Sequence, residues 1–525
     1  MFTLNHLPHT LIESGVGSKQ LIFLDSFRLL KDNIACLIAD TMAEEDVLVF
    51  GGERVGVDSR ASSEQNSGVI FTTTLDYPGP EFGSENRDSF EYWGPTREVT
   101  EESLVALLDR HSMQIHGKER PGTWAYLERK SGTYSVAYIL QFEGNTKVLV
   151  RIPASGWPRR WNKIDAETLR TTVQIMRLIS EKTCVPVPRV FAYDAGMDNE
   201  IRAPFTLISY LGGQNGSTTW NSNKGTTPKE LRRQNLLRTL AQAVSGLRDL
   251  RFPKGGSLWF AQDGDNDPVV VDRWTLRADG WIIPRVFKSI PAYTSVEGKI
   301  KDDIRRQVLK EGQPVSYEER NIAVLFKLMV RAFVKATELP QSGDNFVLVH
   351  PDFDIQNLIT DETGRLTGII DWDGACCEPL QIGWTRLPLW LHGDWYPHFQ
   401  FPPAPGKHKA KDGPDALDEY RNDYARYLCN ESDGAFETRF TTKSHIYRAL
   451  MSSTTRGWTA GRFVENILED VAPEPVRASW ATSIGEHGFS PGEKQALEGV
   501  LLKYFAPVDP DKFVHAASPS ATTAT

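Results

Sequence analysis

The sequence of 525 residues has little of what membrane proteins and nucleic-acid-binding proteins require. No run of about 18 apolar residues is present, so no transmembrane helix is predicted. Lysine and arginine number 59 against 68 aspartates and glutamates, which gives a net charge of −9. This balance argues against nucleic acid or an anionic membrane surface as the main partner, because both need a basic footprint.

Cysteine is also scarce, and the chain has five of them: Cys36, Cys184, Cys376, Cys377 and Cys429. Their number is odd and their spacing fits no zinc motif, so we expect free thiols in a reducing compartment. No basic residue precedes Lys19 and no compact apolar core follows the first methionine, so we expect no signal peptide and a cytoplasmic location. No coiled-coil heptad run is present, and the sequence assigns no oligomeric state.

Residues 124–211 have the alternation of strands and helices that is typical of an α+β unit. Strands are predicted at 134–140 and 147–152, around the turn Glu143-Gly144-Asn145. A helix predicted at 166–180 ends before Val185-Pro-Val-Pro188, because proline lacks the backbone N–H. Further strands are predicted at 189–193 and 205–210. Beyond Gly213 the chain is predicted to be mainly helical, with helices at 228–250, 316–339, 417–429 and 443–467.

The stretch Leu348–Trp372 (LVHPDFDIQNLITDETGRLTGIIDW) places polar clusters at the ends of short apolar runs. The runs predict buried strands, and Asp361-Glu-Thr-Gly364 is typical of a hairpin turn. Because a hairpin returns the chain, Asn357 and Asp371 can face one point from its two ends. Their oxygens suit Mg²⁺ with phosphate oxygens completing the shell. Asp352 would then orient or deprotonate an attacking hydroxyl, as phosphoryl transfer requires.

These motifs resemble the aminoglycoside phosphotransferase (APH) and choline kinase-like family, more narrowly its fungal APH-domain type. The resemblance rests on VHPDFDIQN followed by GIIDWDGA, on Thr183–Pro188 (TCVPVP) and on Phe252–Leu258 (FPKGGSL). It implies an α+β, protein-kinase-like fold with a small β-rich N-lobe and a larger, mainly helical C-lobe. It also implies ATP and Mg²⁺ as cofactors.

The resemblance assigns expected roles to nine residues. Asp352 would be the catalytic base and His350 would brace its loop, while Asn357 and Asp371 would bind the metal. The remaining five would contact ATP: Arg151, Gly132, Ser135, Ser209 and Leu211. Gly132 and Ser135 belong to a turn over the phosphates, and Ser209 and Leu211 to the hinge beside adenine.

Two N-lobe positions depart from the family pattern. Arg151 stands where a phosphate-binding lysine is expected, and arginine also grips phosphate. The glutamate that should pair with this cation falls at Thr172. Either Glu167 substitutes for it through a shifted helix, or the ion pair is missing. A literal His392-Gly393-Asp394 also occurs, but Phe399 rather than Asn stands five residues after Asp394, and no apolar strand with an Asp follows at the right distance. We therefore interpret it as part of the aromatic C-lobe surface.

The resemblance divides the chain into four segments: a partly disordered extension over 1–115, a kinase-like N-lobe over 116–211, a helical C-lobe with the catalytic loop over 212–506, and a disordered tail over 507–525. The leading hypothesis is an ATP- and Mg²⁺-dependent phosphotransferase that acts on a hydroxyl of a small molecule. The alternative is a catalytically weak or inactive kinase-like module that binds a ligand or partner. A protein kinase is disfavoured, because no activation-loop pattern follows Asp371.

Overall fold

The computed structural model describes residues 90–118, 122–265, 267–276, 287–305, 317–340, 343–395, 399, 401–402, 412–455, 459–473 and 488–509. Most of the predicted N-terminal extension and of the predicted tail lies outside these ranges, as does Cys36. Within them the chain forms a β-rich small lobe and a mainly helical large lobe, which confirms the α+β kinase-like fold. None of the helices in these ranges has the length and apolar character needed to cross a membrane.

The small lobe is one five-stranded antiparallel sheet with helices packed beside it. Its elements in chain order are α1 (Phe90–Trp93), α2 (Glu101–Arg110), α3 (Ser112–His116), β1 (Trp124–Ser131), β2 (Ser135–Phe142), β3 (Lys147–Pro153), α4 (Lys163–Lys182), β4 (Val190–Asp194) and β5 (Phe205–Ser209). The strand order is β1-β2-β3-β5-β4. Four strands and α4 are confirmed predictions, and β1 is an addition.

Helix α4 is fixed at both ends by its own sequence. The Asn162 side chain accepts hydrogen bonds from the N–H groups of Ile164 and Asp165, and the Asp165 carboxylate accepts from the Asn162 N–H. This reciprocal cap satisfies N–H groups that a helix start otherwise leaves unpaired. The helix ends at Lys182, before the Pro-Val-Pro segment. Its apolar face is buried, as the helical spacing predicts.

The core of the small lobe extends upstream of the strands. Trp93, Leu104 and Leu107 of the helical segment are buried in one cluster with Val148 and Leu207 of the sheet. Apolar burial of this kind contributes about 1.5–3 kcal/mol per large side chain. We therefore propose that the small lobe begins by residue 90, earlier than the boundary at residue 116 expected from the sequence.

The large lobe combines short sheets with long helices. Its elements are β6 (Gln214–Asn215), α5 (Gly216–Asn221), α6 (Lys229–Ser245), β7 (Arg251–Phe252), β8 (Ser257–Trp259), β9 (Val269–Val271), β10 (Arg273–Leu276), β11 (Phe287–Ile290), α7 (Val296–Arg305), α8 (Tyr317–Ala336), β12 (Phe346–Val349), β13 (Leu358–Thr360), β14 (Leu366–Ile369), β15 (Cys376–Pro379), α9 (Pro414–Glu431), α10 (Ser444–Thr455), α11 (Ala460–Val471) and α12 (Pro491–Phe505). The single helix predicted at 443–467 is wrong, because two helices, α10 and α11, occupy that stretch.

Two three-stranded sheets of the large lobe carry the polar loops. One has the order β15-β12-β7 and the other β14-β13-β6. All four residues of β12 are buried, so the polar residues that follow it are held at a fixed exit from the core. The β13–β14 hairpin is present as predicted, and β6 joins it directly after the chain leaves the small lobe. Cys184, Cys376 and Cys377 are free thiols, as predicted.

Candidate active site

His350 directly follows β12, and its side chain contacts the β13–β14 hairpin. Its side chain is 3% exposed, and its Nε2 lies 2.8 Å from the carbonyl oxygen of Ile370. A carbonyl only accepts, so Nε2 carries the proton of a neutral ring. Burial lowers the pKa of His350 to about 4, which keeps the ring neutral at physiological pH. The contact joins the start of the loop to the residue before Asp371, as a bracing role requires.

Asp352 and Asn357 are tied together within the loop. The Asn357 Nδ2 donates to the carbonyl oxygen of Asp352 at 2.8 Å and to its Oδ2 at 3.0 Å. Gln356 Nε2 also donates to Asp352 Oδ2, at 3.0 Å. Asp354 caps the short helical turn 355–357 by accepting a hydrogen bond from the Ile355 N–H at 2.8 Å. The loop therefore presents Asp352 in a defined orientation.

Asp371 stands at the other end of the hairpin, close to Asn357. The Ile370 N–H donates to the Asn357 carbonyl oxygen at 2.9 Å, so Asp371 directly follows the residue paired with Asn357. Asp371 has a φ of 65°, a left-handed conformation that costs about 1–3 kcal/mol in a residue other than glycine. Strained backbone of this kind occurs preferentially at functional sites.

The donor chemistry of Asn357 and Asp371 fits a magnesium ion. Within the described ranges no three His, Cys, Asp or Glu side chains form a metal cage by themselves. A Mg²⁺ ion bound by one or two side chains together with phosphate oxygens needs no such cage. Both side-chain hydrogen bonds of Asn357 described above use Nδ2, and its amide oxygen takes part in neither. The Asn357 amide oxygen and the Asp371 carboxylate are therefore candidate ligands at neighbouring ends of the hairpin.

Arg151 reaches from β3 of the small lobe to the same point. Its Nη2 donates to Asp371 Oδ1 at 2.8 Å, its Nη1 pairs with the Asp373 carboxylate, and its Nε donates to Ser135 Oγ at 3.0 Å. Burial alone would lower the pKa of Arg151, but the attraction of Asp373 and Asp371 raises it. Partial withdrawal from water raises the pKa of Asp371, against the opposing effect of Arg151.

Among the described residues, no carboxylate of helix α4 forms an ion pair with Arg151. Thr172 is buried, and Glu167 pairs with Arg170 at 3.3 Å rather than with Arg151. The substitution by Glu167 that the sequence left open is therefore wrong. In the described part of the chain, the carboxylates paired with Arg151 are Asp371 and Asp373.

The other predicted nucleotide contacts lie at the β1–β2 turn, at the end of β5 and beside the β13–β14 hairpin. Gly132 and Ser135 close the β1–β2 turn through a 2.9 Å hydrogen bond from the Gly132 N–H to the Ser135 carbonyl oxygen. Ser209 ends β5, and its hydroxyl accepts from the Arg189 N–H at 2.9 Å. Leu211 lies over the hairpin, where a Cβ added to Gly368 would come 2.2 Å from its Cδ1. The turn is thus linked to Asp371 through Ser135 and Arg151, and the hinge lies against the hairpin through Leu211.

The literal His392-Gly393-Asp394 lies elsewhere and is structural. His392 is buried, and the Asp394 carboxylate pairs bidentately with Arg421, with both distances 2.9 Å. Its interpretation as a surface feature is wrong, because a buried ion pair holds it inside the large lobe.

Asp373 and Arg273 are site residues that the sequence did not identify. Asp373 could have been suspected as the second carboxylate of Asp-Trp-Asp, whereas no local pattern marks Arg273. The Arg273 guanidinium donates to the Gly374 carbonyl oxygen at 3.4 Å and lies 3.3 Å from the Cys376 sulfur. It therefore contacts the same loop as Arg151, but from β10 of the large lobe.

Comparison with known families agrees with this geometry. Residues 127–382 match the model of APH, the phosphotransferase enzyme family. That segment includes most of β1, the strands β2 to β5 and every residue discussed above as a candidate contact to ATP, metal or acceptor.

Curated relatives are distant fungal proteins. A subtelomeric hrmA-associated cluster protein of Aspergillus fumigatus is 22% identical over 321 residues, which cover 50% of this chain and 60% of that protein. The altered inheritance of mitochondria protein 9, mitochondrial, of Saccharomyces cerevisiae is 20% identical over 302 residues, which cover 47% of each chain. The chain thus spans about half to three fifths of these relatives, and they agree with the fungal type named from the motifs.

Solved structures of antibiotic phosphotransferases are also similar. Aminoglycoside phosphotransferase APH(4)-Ia is 15% identical with a TM-score of 0.39, and the match covers 71% of this chain and all of that one. Spectinomycin phosphotransferase APH(9)-Ia is 11% identical with a TM-score of 0.30, covering 73% of this chain and 97% of that one.

Proposed function

We propose that the chain transfers the γ-phosphoryl group of ATP to a hydroxyl of a small molecule, and the match of residues 127–382 to the model of the phosphotransferase enzyme family supports this proposal. The observation that carries the proposal is that Asp352, Asn357 and Asp371 lie at the two ends of one hairpin, which hydrogen bonds hold together. Asp352 is bonded to Asn357, and Asn357 is joined through its carbonyl to the residue before Asp371.

Each of the three side chains has one task in the proposal. Asp352 accepts a hydrogen bond from the acceptor hydroxyl, orients it and takes its proton as the new O–P bond forms. Asn357 and Asp371 would hold Mg²⁺ through their oxygens. Neutralisation of charge on the phosphate oxygens is the chemistry that this ion supplies when bound. His350 keeps the loop in place through Ile370.

The proposed nucleotide site lies between the lobes. The turn at Gly132 and Ser135 covers the phosphates, Arg151 binds them, and adenine lies against the hinge at Ser209 and Leu211. Guanidinium matches phosphate oxygens bidentately, so arginine serves at a position where lysine is usual. The proposed acceptor is a neutral or cationic small molecule with a hydroxyl group, and nucleic acid is excluded from the proposal by the net charge of −9.

One observation favours the alternative, a kinase-like module with weak or no catalysis. Arg151 lies 2.8 Å from Asp371, the carboxylate that the metal would need. The Arg151 guanidinium therefore competes with a metal ion for Asp371. No glutamate on helix α4 pairs with Arg151 in the described residues to hold it away from Asp371. The phosphotransferase proposal is preferred because Asp352, Asn357 and Asp371 are all present in a consistent arrangement.

The test of the proposal is a screen for new phosphate esters. The chain is incubated with ATP, Mg²⁺ and pools of hydroxylated metabolites, and ³¹P NMR follows the phosphate groups. We expect one pool to give a phosphomonoester together with ADP, and the same incubation with Asp352→Ala to give none. Equal product from Asp352→Ala would contradict the assigned role. We also propose a cytoplasmic location, which a fluorescent fusion tests against the mitochondrial location in the names of some relatives.

A further inference from the structure

Contrary to the family pattern, Arg151 of the small lobe does not pair with a glutamate of helix α4 among the described residues, but it does pair with Asp373 of the large lobe. We propose that Asp373 is the positioning residue for Arg151, in place of a carboxylate on α4, and that it thereby keeps Asp371 available to the metal. This inference rests on the proposed function. Its first support is that Thr172 is buried in the small lobe while Glu167 is engaged by Arg170.

The spacing of the two carboxylates is fixed by the residue between them. Trp372 is 1% exposed, its Nε1 donates to the Ile369 carbonyl oxygen at 3.0 Å, and its ring lies 4.7 Å from that of His350. Because Trp372 is anchored inward, Asp371 and Asp373 on either side are presented outward to the same guanidinium. Arg151 accordingly meets Asp371 through Nη2 and Asp373 through Nη1.

The loop that carries Asp373 is also held from the large lobe. Arg273 donates to the carbonyl oxygen of Gly374, the next residue, at 3.4 Å. Gly374 has a φ of 78°, which favours glycine and turns the chain sharply after Asp373. Arg151 itself is held to the sheet by Ser135. The Arg151–Asp373 pair therefore joins two fixed elements, one in each lobe.

Sharing of the guanidinium between two carboxylates has a consequence for metal binding. With Asp373 present, Nη1 of Arg151 pairs with Asp373, and only Nη2 contacts Asp371. Without Asp373, the guanidinium can turn both of its Nη groups to Asp371, which is the stronger bidentate geometry. A metal ion would then have to displace a stronger partner. Asp373→Asn should therefore weaken binding of Mg-ATP although Asp373 itself need not touch nucleotide or metal.

The experiment is a double-mutant cycle measured by calorimetry of Mg-ATP binding to the full chain. We expect Asp373→Asn to lower the affinity about tenfold, a usual size for coupled neighbours, and to raise the Mg²⁺ concentration needed. Asp373→Glu should restore most of the affinity, because it returns the carboxylate. In the Arg151→Gln background, Asp373→Asn should have no further effect. Glu200→Gln, which breaks the 3.1 Å ion pair of Arg110 on the small-lobe surface, is the matched control and should leave binding unchanged.

The remaining outcomes separate the competing explanations. Additive losses in the cycle would show that Asp373 acts on the metal directly and would overturn the positioning role. Unchanged affinity in Asp373→Asn would overturn it as well. Absence of Mg-ATP binding by the parent chain would instead remove the proposed function, and the positioning role with it. Thermal unfolding of each variant separates a loss of binding from a loss of folding, and the Asp373→Glu rescue excludes a merely structural cause.

Discussion

Asn357 donates from one amide nitrogen to both the carbonyl oxygen and the carboxylate of Asp352, at 2.8 and 3.0 Å. The proposed metal ligand and the proposed base are therefore positioned by each other. Asn357 is 7% exposed and forms the buried member of the pair, whereas Asp352 is half-buried. A substitution at Asp352 should accordingly affect chemistry more than folding.

Replacement of Asp352 by asparagine should abolish most turnover. The isosteric amide keeps the shape of the side chain but cannot take a proton, and loss of a general base typically costs about 10²–10⁴-fold in rate. The unfolding temperature should change little, because Asp352 is only half-buried. Steady-state kinetics with the acceptor found in the ³¹P screen, together with thermal unfolding, measure both quantities. A fully active Asp352→Asn variant would contradict the mechanism.

Asp394 of the His392-Gly393-Asp394 sequence should affect stability and not turnover. Asp394 pairs bidentately with Arg421, whose side chain is 4% exposed and which also pairs with Asp418 at 2.6 Å. Because Asp418 remains after Asp394→Ala, the loss of unfolding free energy should stay below the roughly 3–5 kcal/mol of a buried charge left with no partner. We expect a clear loss in urea unfolding and near-normal turnover per folded molecule. Lost turnover in a stably folded Asp394→Ala protein would mean that this motif, too, serves catalysis.

Acid should weaken the fold through His350. Its native pKa of about 4 lies below the ordinary value of 6.5, so the unfolded chain binds more protons than the native one between these pH values. The free energy of unfolding should therefore fall as the pH drops from 6.5 towards 4, by at most about 3 kcal/mol from this residue. Burial lowers the pKa values of His392 and His445 as well. His350→Gln, whose amide can still donate to Ile370, should show a shallower decline than the parent chain, and an identical pH profile would refute the assignment.

Two adjacent glycines after the hinge should respond differently to alanine. Gly213 has a φ of 134°, and a Cβ there would lie 2.4 Å from the Thr360 carbonyl oxygen, whereas a Cβ at Gly212 meets nothing within 4 Å. Gly213→Ala should lower the unfolding free energy by about 1–3 kcal/mol through backbone strain alone, and more because of the clash. Gly212→Ala is the control and should be close to neutral. Equal effects would show that the hinge backbone adopts another conformation.

The parts of the fold that sequence could predict are those encoded within short segments. The hairpin and its two polar ends follow from alternating apolar runs around a Gly-containing turn, so the sequence alone could pair Asn357 with Asp371. Strand β1 escaped prediction because seven of its eight residues are exposed and no apolar alternation marks it. The partners of Arg151 could not be found in this way, since Asp371 lies 220 residues further along the chain.

The helices upstream of β1 were missed for a related reason. Glu101–Arg110 carries a Thr100 cap and buried Leu104, Leu107 and Leu108, but it follows a stretch rich in Ser, Gly, Pro and acidic residues. That composition favours loops and masked the short apolar face. What decides the assignment is packing against the sheet, which is a tertiary property.

The most direct test of the central claim is calorimetry of ATP binding to the parent chain with and without Mg²⁺, repeated with Asp371→Asn. We predict binding that strengthens with Mg²⁺ in the parent and loses its Mg²⁺ dependence in the variant. A matching rise in the unfolding temperature should accompany it, because a ligand at 100 times its Kd stabilises the folded state by about 2.7 kcal/mol. No binding at millimolar Mg-ATP, or the same Mg²⁺ dependence in Asp371→Asn, would contradict the account.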